Sequence, residues 1–234
     1  LNNWQRGDYK PYIVKSTDRG RTWTNITGNL TGRHNVWTIA QDHMNGDLLF
    51  VGTEFGLFVT VDGGKVWTQL KGGLPITQVR DLTLHKRESD VVLGTFGRGF
   101  YVLDDYSALR EINATTLGDD ARLFPLRHAY AFTPGGVAPA GAAGVLAISG
   151  NYSTPNPPVG AWITYHVKTA VPATEKLVLT ISDNTGKQVR RCELERTAGL
   201  RRFVWNLNGD PVAAPAGGGR GGACLLYTSD AADE

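Results

Sequence analysis

Two stretches of the chain contain the same turn pattern, and their spacing limits the folds that the chain can adopt. The first stretch reads S-x-D-x-G-x-T-W from Ser16 to Trp23, and the second, from Thr60 to Trp67, follows 44 residues later, counted from Asp18 to Asp62. A turn that recurs about every 40 to 50 residues is typical of folds in which each repeat is a small antiparallel sheet. The spacing therefore predicts an all-β fold built from blade-like units.

Each position of the pattern suits a tight connection between two strands. The glycine supplies a positive φ at no steric cost, and the short aspartate side chain accepts backbone N–H groups that the ending ladder leaves over. The tryptophan packs a large apolar ring against the sheet while its indole N–H finds a partner. The predicted structural residues are Ser16, Asp18, Gly20, Thr22 and Trp23 in the first copy and Thr60, Asp62, Gly64 and Trp67 in the second.

These residues resemble the Asp-box, or bacterial neuraminidase repeat, and the chain is similar to the sortilin-like group of Asp-box β-propeller proteins. The first copy matches at every position, whereas Thr60 stands in place of Ser and Val66 in place of Thr in the second. The resemblance covers about residues 9–110, including the strings 51–59 and 93–105, which look like the last blades of large bacterial members. It implies a β-propeller and an exported, extracellular or periplasmic protein.

The strand pattern predicts about two and a half blades. Short runs of β-branched and aromatic residues, separated by Gly, Asn or Asp, predict strands. One four-stranded blade is predicted from Val36 to Gln41, Leu48 to Thr53, Leu57 to Val61 and Val66 to Leu70, three strands of another from Val79 to Leu84, Val91 to Thr95 and Phe100 to Leu103, and an outer hairpin from Pro11 to Lys15 and Thr22 to Ile26. Because a closed propeller needs about four to eight blades, we expect residues 1–118 to be the C-terminal part of a larger one, which must supply the remaining blades.

A different composition follows the repeats. A short helix is predicted between Tyr106 and Leu117, and residues 119–159 are predicted to hold one extra strand, packed back on the propeller, and a linker rich in Gly, Ala and Pro. Residues 160–210 contain four strand-like runs and a hairpin signal at Asp183 to Lys187, and resemble a truncated β-sandwich of the immunoglobulin or fibronectin type III kind. Residues 211–234 are of low complexity, and their end looks like translated sequencing-adapter sequence, so we exclude them from the fold.

The composition limits the kinds of partner and cofactor that we expect the chain to bind. A net charge of +2 with 20% charged residues describes an ordinary surface, and the arginine pairs near residues 190 and 201 alternate with glutamates, which argues against nucleic-acid binding. No apolar run is long enough to span a membrane. With two cysteines and five scattered histidines, the sequence indicates no disulfide framework, no metal site and no cofactor.

Catalysis is the sharper of two functional hypotheses. Sialidases and some glucanases also carry Asp-boxes, and glycoside hydrolysis requires two carboxylates about 5 to 10 Å apart. The candidates are Glu54, Asp104 and Asp105, although Glu54 also suits a hairpin tip and the two aspartates also suit a cap after the last strand. The favoured hypothesis assigns this stretch no catalytic residue. In the alternative, a sialidase- or glucanase-like glycoside hydrolase, the catalytic carboxylates would lie mainly in an N-terminal part of the protein.

The favoured hypothesis is a binding scaffold. Loops at one end of the propeller would hold a peptide or a glycan, and the trailing sandwich would act as a spacer or attachment module. Five aromatic residues could offer faces for stacking sugars, although most of them also suit a core: Trp37, Phe55, Phe58, Phe96 and Trp162. The prediction is a non-catalytic part of a large exported Asp-box protein that binds protein or glycan.

Overall fold

The computed structural model describes residues 2–131 and 157–210 of the chain. Within these residues the protein is all-β, as the sequence predicts, with several antiparallel sheets, none of them closed. The chain divides into a first unit, which includes the described residues through Thr116, and a second unit, which begins at Leu117. The predicted linker lies largely, and the predicted extraneous tail entirely, outside the described residues.

The first unit contains nine strands in three sheets, each formed by strands that follow one another in the chain. A hairpin pairs β1 with β2, a four-stranded sheet has the order β3-β4-β5-β6, and a three-stranded sheet has the order β7-β8-β9. The strands are β1 (Val14–Lys15), β2 (Thr24–Asn25), β3 (Val36–Gln41), β4 (Leu49–Thr53), β5 (Gly56–Thr60), β6 (Thr68–Leu70), β7 (Val79–His85), β8 (Asp90–Thr95) and β9 (Phe100–Leu103).

The four-stranded sheet is covered on both faces. Every residue of β4 and β5 is buried, because successive side chains alternate between two cores. Phe50 and Leu57 face the sheet of β7 and β8, whereas Val51 and Phe58 face the hairpin of β1 and β2. Hydrophobic burial on both faces stacks the three sheets side by side.

One glycine marks where two of these sheets come closest. A Cβ added to Gly52 would lie 2.7 Å from both the Val79 side chain and its carbonyl oxygen, and 2.6 Å from the Thr38 side chain. Any other residue in β4 at this point would push β7 away. Gly52 therefore sets the spacing between the start of β7 and the end of β4.

The predicted helix after β9 is two short 3-10 helices, Ser107–Glu111 and Thr116–Gly118. Asn113 ends the first of them because its side-chain oxygen accepts the backbone N–H groups of Thr115 and Thr116, at 2.9 and 3.0 Å. The Thr116 hydroxyl in turn accepts the Asn113 N–H at 2.8 Å. Side chains that capture backbone amides in this way compete with a longer helix.

The second unit contains two sheets that share one core. Its strands are β10 (Ala121–Leu123), β11 (Ala161–Val167), β12 (Val178–Ser182), β13 (Gln188–Glu193) and β14 (Gly199–Trp205), arranged as β10-β11-β14 and β12-β13. Tyr165 and Phe203 of the first sheet pack with Leu179 and the buried Cys192 of the second. The predicted turn is present, with Asp183 N–H donating to the Lys187 carbonyl at 2.9 Å.

The extra strand predicted after the repeats has its hydrogen-bonding partner in the second unit. Strand β10 pairs antiparallel with β11, with Ala121 opposite Val167 and Leu123 opposite Tyr165. It therefore belongs to a sheet of the second unit. A contact of this kind depends on a partner about 40 residues further along the chain, which the local pattern of three residues does not specify.

Candidate binding surface

The first repeat turn, which we define as Ser16 to Trp23, is closed by side chains of its own pattern. The Ser16 hydroxyl donates to Asp18 at 2.8 Å and accepts the Gly20 N–H at 2.7 Å. Asp18 accepts both the N–H and the hydroxyl of Thr22, at 2.8 and 2.7 Å. The bonds from the Thr22 hydroxyl and N–H lower the pKa of Asp18 to about 2.

The second repeat turn, Thr60 to Trp67, has the same arrangement. Thr60 donates to Asp62 at 2.6 Å and accepts the Gly64 N–H at 3.0 Å. The Asp62 carboxylate accepts the N–H groups of Lys65 and Val66, at 2.9 and 3.0 Å. Burial alone would raise the pKa of Asp62, but these bonds lower it below its ordinary value. In both copies the aspartate thus binds the backbone of its own turn.

The two tryptophans differ. The Trp67 ring is 3% exposed, its indole N–H donates to the Ile26 carbonyl at 3.0 Å, and its backbone exchanges two hydrogen bonds with the Asn29 side chain. The second repeat turn is therefore fastened to the loop that follows β2. Trp23 is 62% exposed.

Each predicted catalytic carboxylate has a different environment. Glu54, at the tip between β4 and β5, accepts the indole N–H of Trp37 at 2.9 Å. Asp105 is buried with a positive φ of 48°, accepts the Ser107 hydroxyl, and donates its own N–H to the Asp90 carboxylate at 2.8 Å. Asp104 lies beside it, directly after β9. The two aspartates thus shape the turn that leaves the sheet.

The strand register separates Glu54 from the aspartates. Leu103, which precedes Asp104, pairs with Val91 near the start of β8, whereas Phe96 follows the end of β8. Glu54 lies at the Phe96 end, because it accepts a hydrogen bond from Trp37 and the Arg80 guanidinium lies near the rings of both Trp37 and Phe96. At about 3.3 Å per residue the two ends of β8 lie about 16 Å apart, which exceeds the separation of about 5 to 10 Å that glycoside hydrolysis requires. The structure does not bring these carboxylates together as a catalytic pair.

A buried ion pair at the Asp105 end was not predicted. Asp42, just beyond β3, accepts two hydrogen bonds from the Arg110 guanidinium at 2.8 and 2.9 Å and one from the Tyr106 hydroxyl at 2.7 Å. Burial would raise the pKa of Asp42, but these bonds and the N–H groups of Met44 and Asn45 hold it well below its usual range. Burial and the bond to Asp42 raise the pKa of Tyr106 to about 12.

This ion pair fastens the first 3-10 helix after β9 to the turn between β3 and β4. The Asp42 side chain is 0% exposed and the Arg110 side chain 15%, so the pair is largely shielded from solvent. The signal available in the sequence was local: Asp42, Asn45 and Gly46 form a turn after a strand. Nothing in that turn indicated Arg110, which lies 68 residues away.

The opposite end of β3 presents aromatic rings with an arginine between them. The Arg80 guanidinium lies 3.9 Å from the centre of the Trp37 ring and 5.6 Å from that of Phe96. Trp4 meets Trp37 edge-on, with ring centres 6.0 Å apart. Phe96 is 68% and Trp4 41% exposed, so the stack faces solvent. We call Trp4, Trp37, Arg80 and Phe96 the Trp37 cluster.

A cleft of about 570 Å³ opens in the same unit, between residues 7–12 and the loop that follows β2. In its wall, the Arg33 guanidinium lies 4.4 Å from the centre of the Tyr9 ring, and the Tyr12 hydroxyl donates to Asp8 at 2.6 Å. That bond lowers the pKa of Asp8. The volume is within the range of about 300 to 1,000 Å³ that is common for small-ligand sites.

The five aromatic residues predicted to stack on sugars differ in location and exposure. Phe58 is 9% exposed and belongs to the core, whereas Phe55 is 39% exposed at the tip beside Glu54. Trp37 and Phe96 belong to the Trp37 cluster. Trp162 lies in the second unit, half-buried, with its indole N–H bonded to the Pro158 carbonyl at 3.0 Å.

Among residues 2–131 and 157–210 no group of His, Cys, Asp and Glu is arranged to hold a metal ion. No helix in the described part of the chain is long and apolar enough to cross a membrane. Comparison with protein-family models, curated proteins and solved structures gave no match.

Proposed function

We propose that the first unit is part of an Asp-box β-propeller and that the second is a β-sandwich module of the immunoglobulin or fibronectin type III kind. The stacking of three sheets in chain order supports the first assignment, because a propeller places consecutive antiparallel blades side by side. In addition, Trp67 of the second repeat turn donates its indole N–H to the Ile26 carbonyl, in the loop that follows the hairpin of β1 and β2. The shared core of two sheets supports the second assignment.

The outer sheets of the first unit leave apolar faces uncovered, which supports a larger propeller. On the hairpin of β1 and β2, Trp23 is 62% and Val14 36% exposed. On the sheet of β7 to β9, Phe100 is 83% and Val102 54% exposed. Exposed apolar groups on a face mark a place where another element packs. We assign both faces to further blades of the same propeller.

We propose a non-catalytic, ligand-binding role for this propeller, in a protein exported to the periplasm or the cell exterior. The observation that carries the binding role is the Trp37 cluster, where exposed rings and a guanidinium lie at one end of two adjacent sheets. Trp and Arg are the residues most enriched at binding hot spots. The location follows from the resemblance of the turns to those of exported Asp-box proteins.

The test measures binding and turnover on one panel. The intact chain is titrated with β-glucans, polygalacturonate, sialosides and a peptide library, and each mixture is assayed for released sugar or cleaved peptide. We expect a ligand that is bound and not cleaved, and a loss of affinity of about tenfold or more in Trp37→Ala, as for a hot-spot aromatic. Trp23→Ala, another exposed tryptophan of the same unit, is the matched control.

Two outcomes contradict the proposed function. Glycoside turnover that disappears in Glu54→Gln or Asp105→Asn establishes the hydrolase alternative. If no member of the panel binds, or if Trp37→Ala binds as well as the intact chain does, the Trp37 cluster is not a binding site.

A further inference from the structure

The 3-10 helix Trp4–Arg6 links the Trp37 cluster to the cleft along the chain. Gly7, which lines the cleft, donates its N–H to the Trp4 carbonyl at 2.9 Å, and a β-bridge pairs Asn3 with Asp8. The Trp4 ring of this helix meets Trp37. Trp4 is thus in contact with Trp37 through its ring and with Gly7 of the cleft through its carbonyl.

The charged residues around the cleft and the Trp37 cluster are net positive, because Lys10, Arg33 and Arg80 outnumber Asp8 and Glu54. Both carboxylates already accept hydrogen bonds, Asp8 from the Tyr12 hydroxyl and the Lys10 N–H, and Glu54 from the Trp37 indole. The guanidinium groups of Arg33 and Arg80 stack on rings and have no ion-pair partner in the described parts of the chain. Stacking orients a guanidinium and leaves its N–H edge open to an oxyanion.

The shape of the surface favours a glycan over a peptide. Peptides are commonly captured by adding a strand to a free sheet edge or by laying a helix in an apolar groove. This surface instead offers aromatic rings, two of which, Tyr9 and Trp37, have a guanidinium over one face. Pyranose rings present C–H faces that pack on aromatic faces, and a carboxylated sugar adds the anion that the guanidinium groups lack.

We propose that the ligand is an acidic polysaccharide, with carboxylated sugars seated in the cleft and on the Trp37 cluster, where Arg33 and Arg80 bind successive carboxylates. The inference rests on the proposed binding function and specifies its ligand. It requires no chemical step and no bound ion. Affinity should come from both charge and ring stacking, so that neither alone suffices.

The experiment compares polymers that differ in one property. The intact chain is titrated with polygalacturonate, with the same polymer after methyl esterification, and with polyglutamate of matched charge. We expect binding of polygalacturonate that weakens as salt rises, with at least about tenfold weaker binding of the esterified polymer and of polyglutamate, because each lacks one of the two contributions.

Variants assign the binding to the two arginines. We expect Arg33→Gln and Arg80→Gln each to weaken polygalacturonate binding about tenfold, because each removes a charge-assisted hydrogen bond. Arg87→Gln, in the exposed turn between β7 and β8, is the matched control and should bind as the intact chain does. Melting temperatures of all three variants identify any loss that comes from unfolding.

The outcomes separate this inference from the proposed function. Equal binding of the esterified polymer, equal binding of polyglutamate, or unchanged affinity in both arginine variants overturns the acidic-polysaccharide assignment. Binding of a neutral glucan or a peptide alone, weakened by Trp37→Ala, also overturns it while the binding function stands. Failure of every ligand to bind overturns both.

Discussion

The two repeat turns have the same internal hydrogen bonds and different surroundings. In each, a hydroxyl and an aspartate bridge the ends, and a glycine occupies the left-handed region, with φ of 85° at Gly20 and 96° at Gly64. The tryptophan that follows is 62% exposed in the first copy and 3% exposed in the second. The second turn rests on the loop after β2, and no described residue covers the first in this way.

This difference separates two roles of one motif. The serine or threonine, the aspartate and the glycine form the turn, and their bonds need only residues within four positions. The tryptophan joins the turn to a neighbouring sheet, and its contribution depends on whether that neighbour is present. The eight-residue pattern therefore predicts the turn itself in both copies. It predicts a buried tryptophan correctly only in the second copy.

The largest expected difference is between the stabilities of the two tryptophan variants. Trp67→Ala should lower the free energy of unfolding by about 3 to 5 kcal/mol, the usual cost of removing a buried aromatic side chain. Trp23→Ala should change it by less than about 0.5 kcal/mol, as for an exposed position. Urea denaturation of the two variants and the intact chain, followed by circular dichroism, measures both. Equal losses would mean that Trp23 is also packed.

The glycines should show a smaller difference. A Cβ at Gly64 would lie 2.7 Å from the Ile26 carbonyl oxygen, whereas one at Gly20 would meet only the Trp23 ring, at 3.6 Å. Both Gly→Ala variants incur about 1 to 2 kcal/mol for a left-handed residue, and Gly64→Ala should lose about 1 to 3 kcal/mol more from the clash. The same denaturation experiment compares them. A larger loss in Gly20→Ala would contradict the packing described for the second turn.

The smallest expected difference is in the pKa of the two turn aspartates, which should be lowered in both copies. Asp18 should titrate with a pKa of about 2, and Asp62 below its ordinary value as well. A carboxylate whose pKa is lowered in the folded state stabilises it above the unfolded pKa of about 3.9, and this contribution is lost as the pH falls through the folded pKa. Carbon-detected NMR of the side-chain carboxyl groups follows each residue.

The titration tests whether the turn forms without its neighbour. An ordinary pKa at Asp18 together with a lowered pKa at Asp62 would show that the first turn needs a packed tryptophan in order to close. In that case the difference between the copies would extend to the hydrogen bonds, and the separation of roles drawn above would be wrong.

Much of the strand pattern could be predicted from the sequence. Strands β3 (Val36–Gln41) and β9 (Phe100–Leu103) have the predicted bounds, and the other predicted strands differ by a few residues at their ends, except the extra strand, which was predicted from Ala121 to Phe132 and is Ala121–Leu123. Such segments are rich in β-branched and aromatic residues and are bounded by Gly, Asn or Asp, which are local properties. The all-β class follows from them.

The candidate site was predictable only in part. The sequence named Trp37 and Phe96 as aromatic surfaces, but it did not indicate that Arg80 lies between them or that Trp4 joins them to the cleft. Likewise, Asp42 pairs with Arg110 across 68 residues, and β10 pairs with β11. These contacts arise when separate sheets stack, and no local pattern encodes the partner.

By itself, the sequence determined the β class, the position of most strands and the two turns, because hydrogen bonds within a few residues and alternating side chains need no distant partner. Tertiary structure alone decided which tryptophan is buried, that Glu54 and Asp105 lie at opposite ends of their sheets, and that Arg33 and Arg80 each lie over an aromatic ring. The reason is that burial and proximity depend on how one sheet is placed against the next.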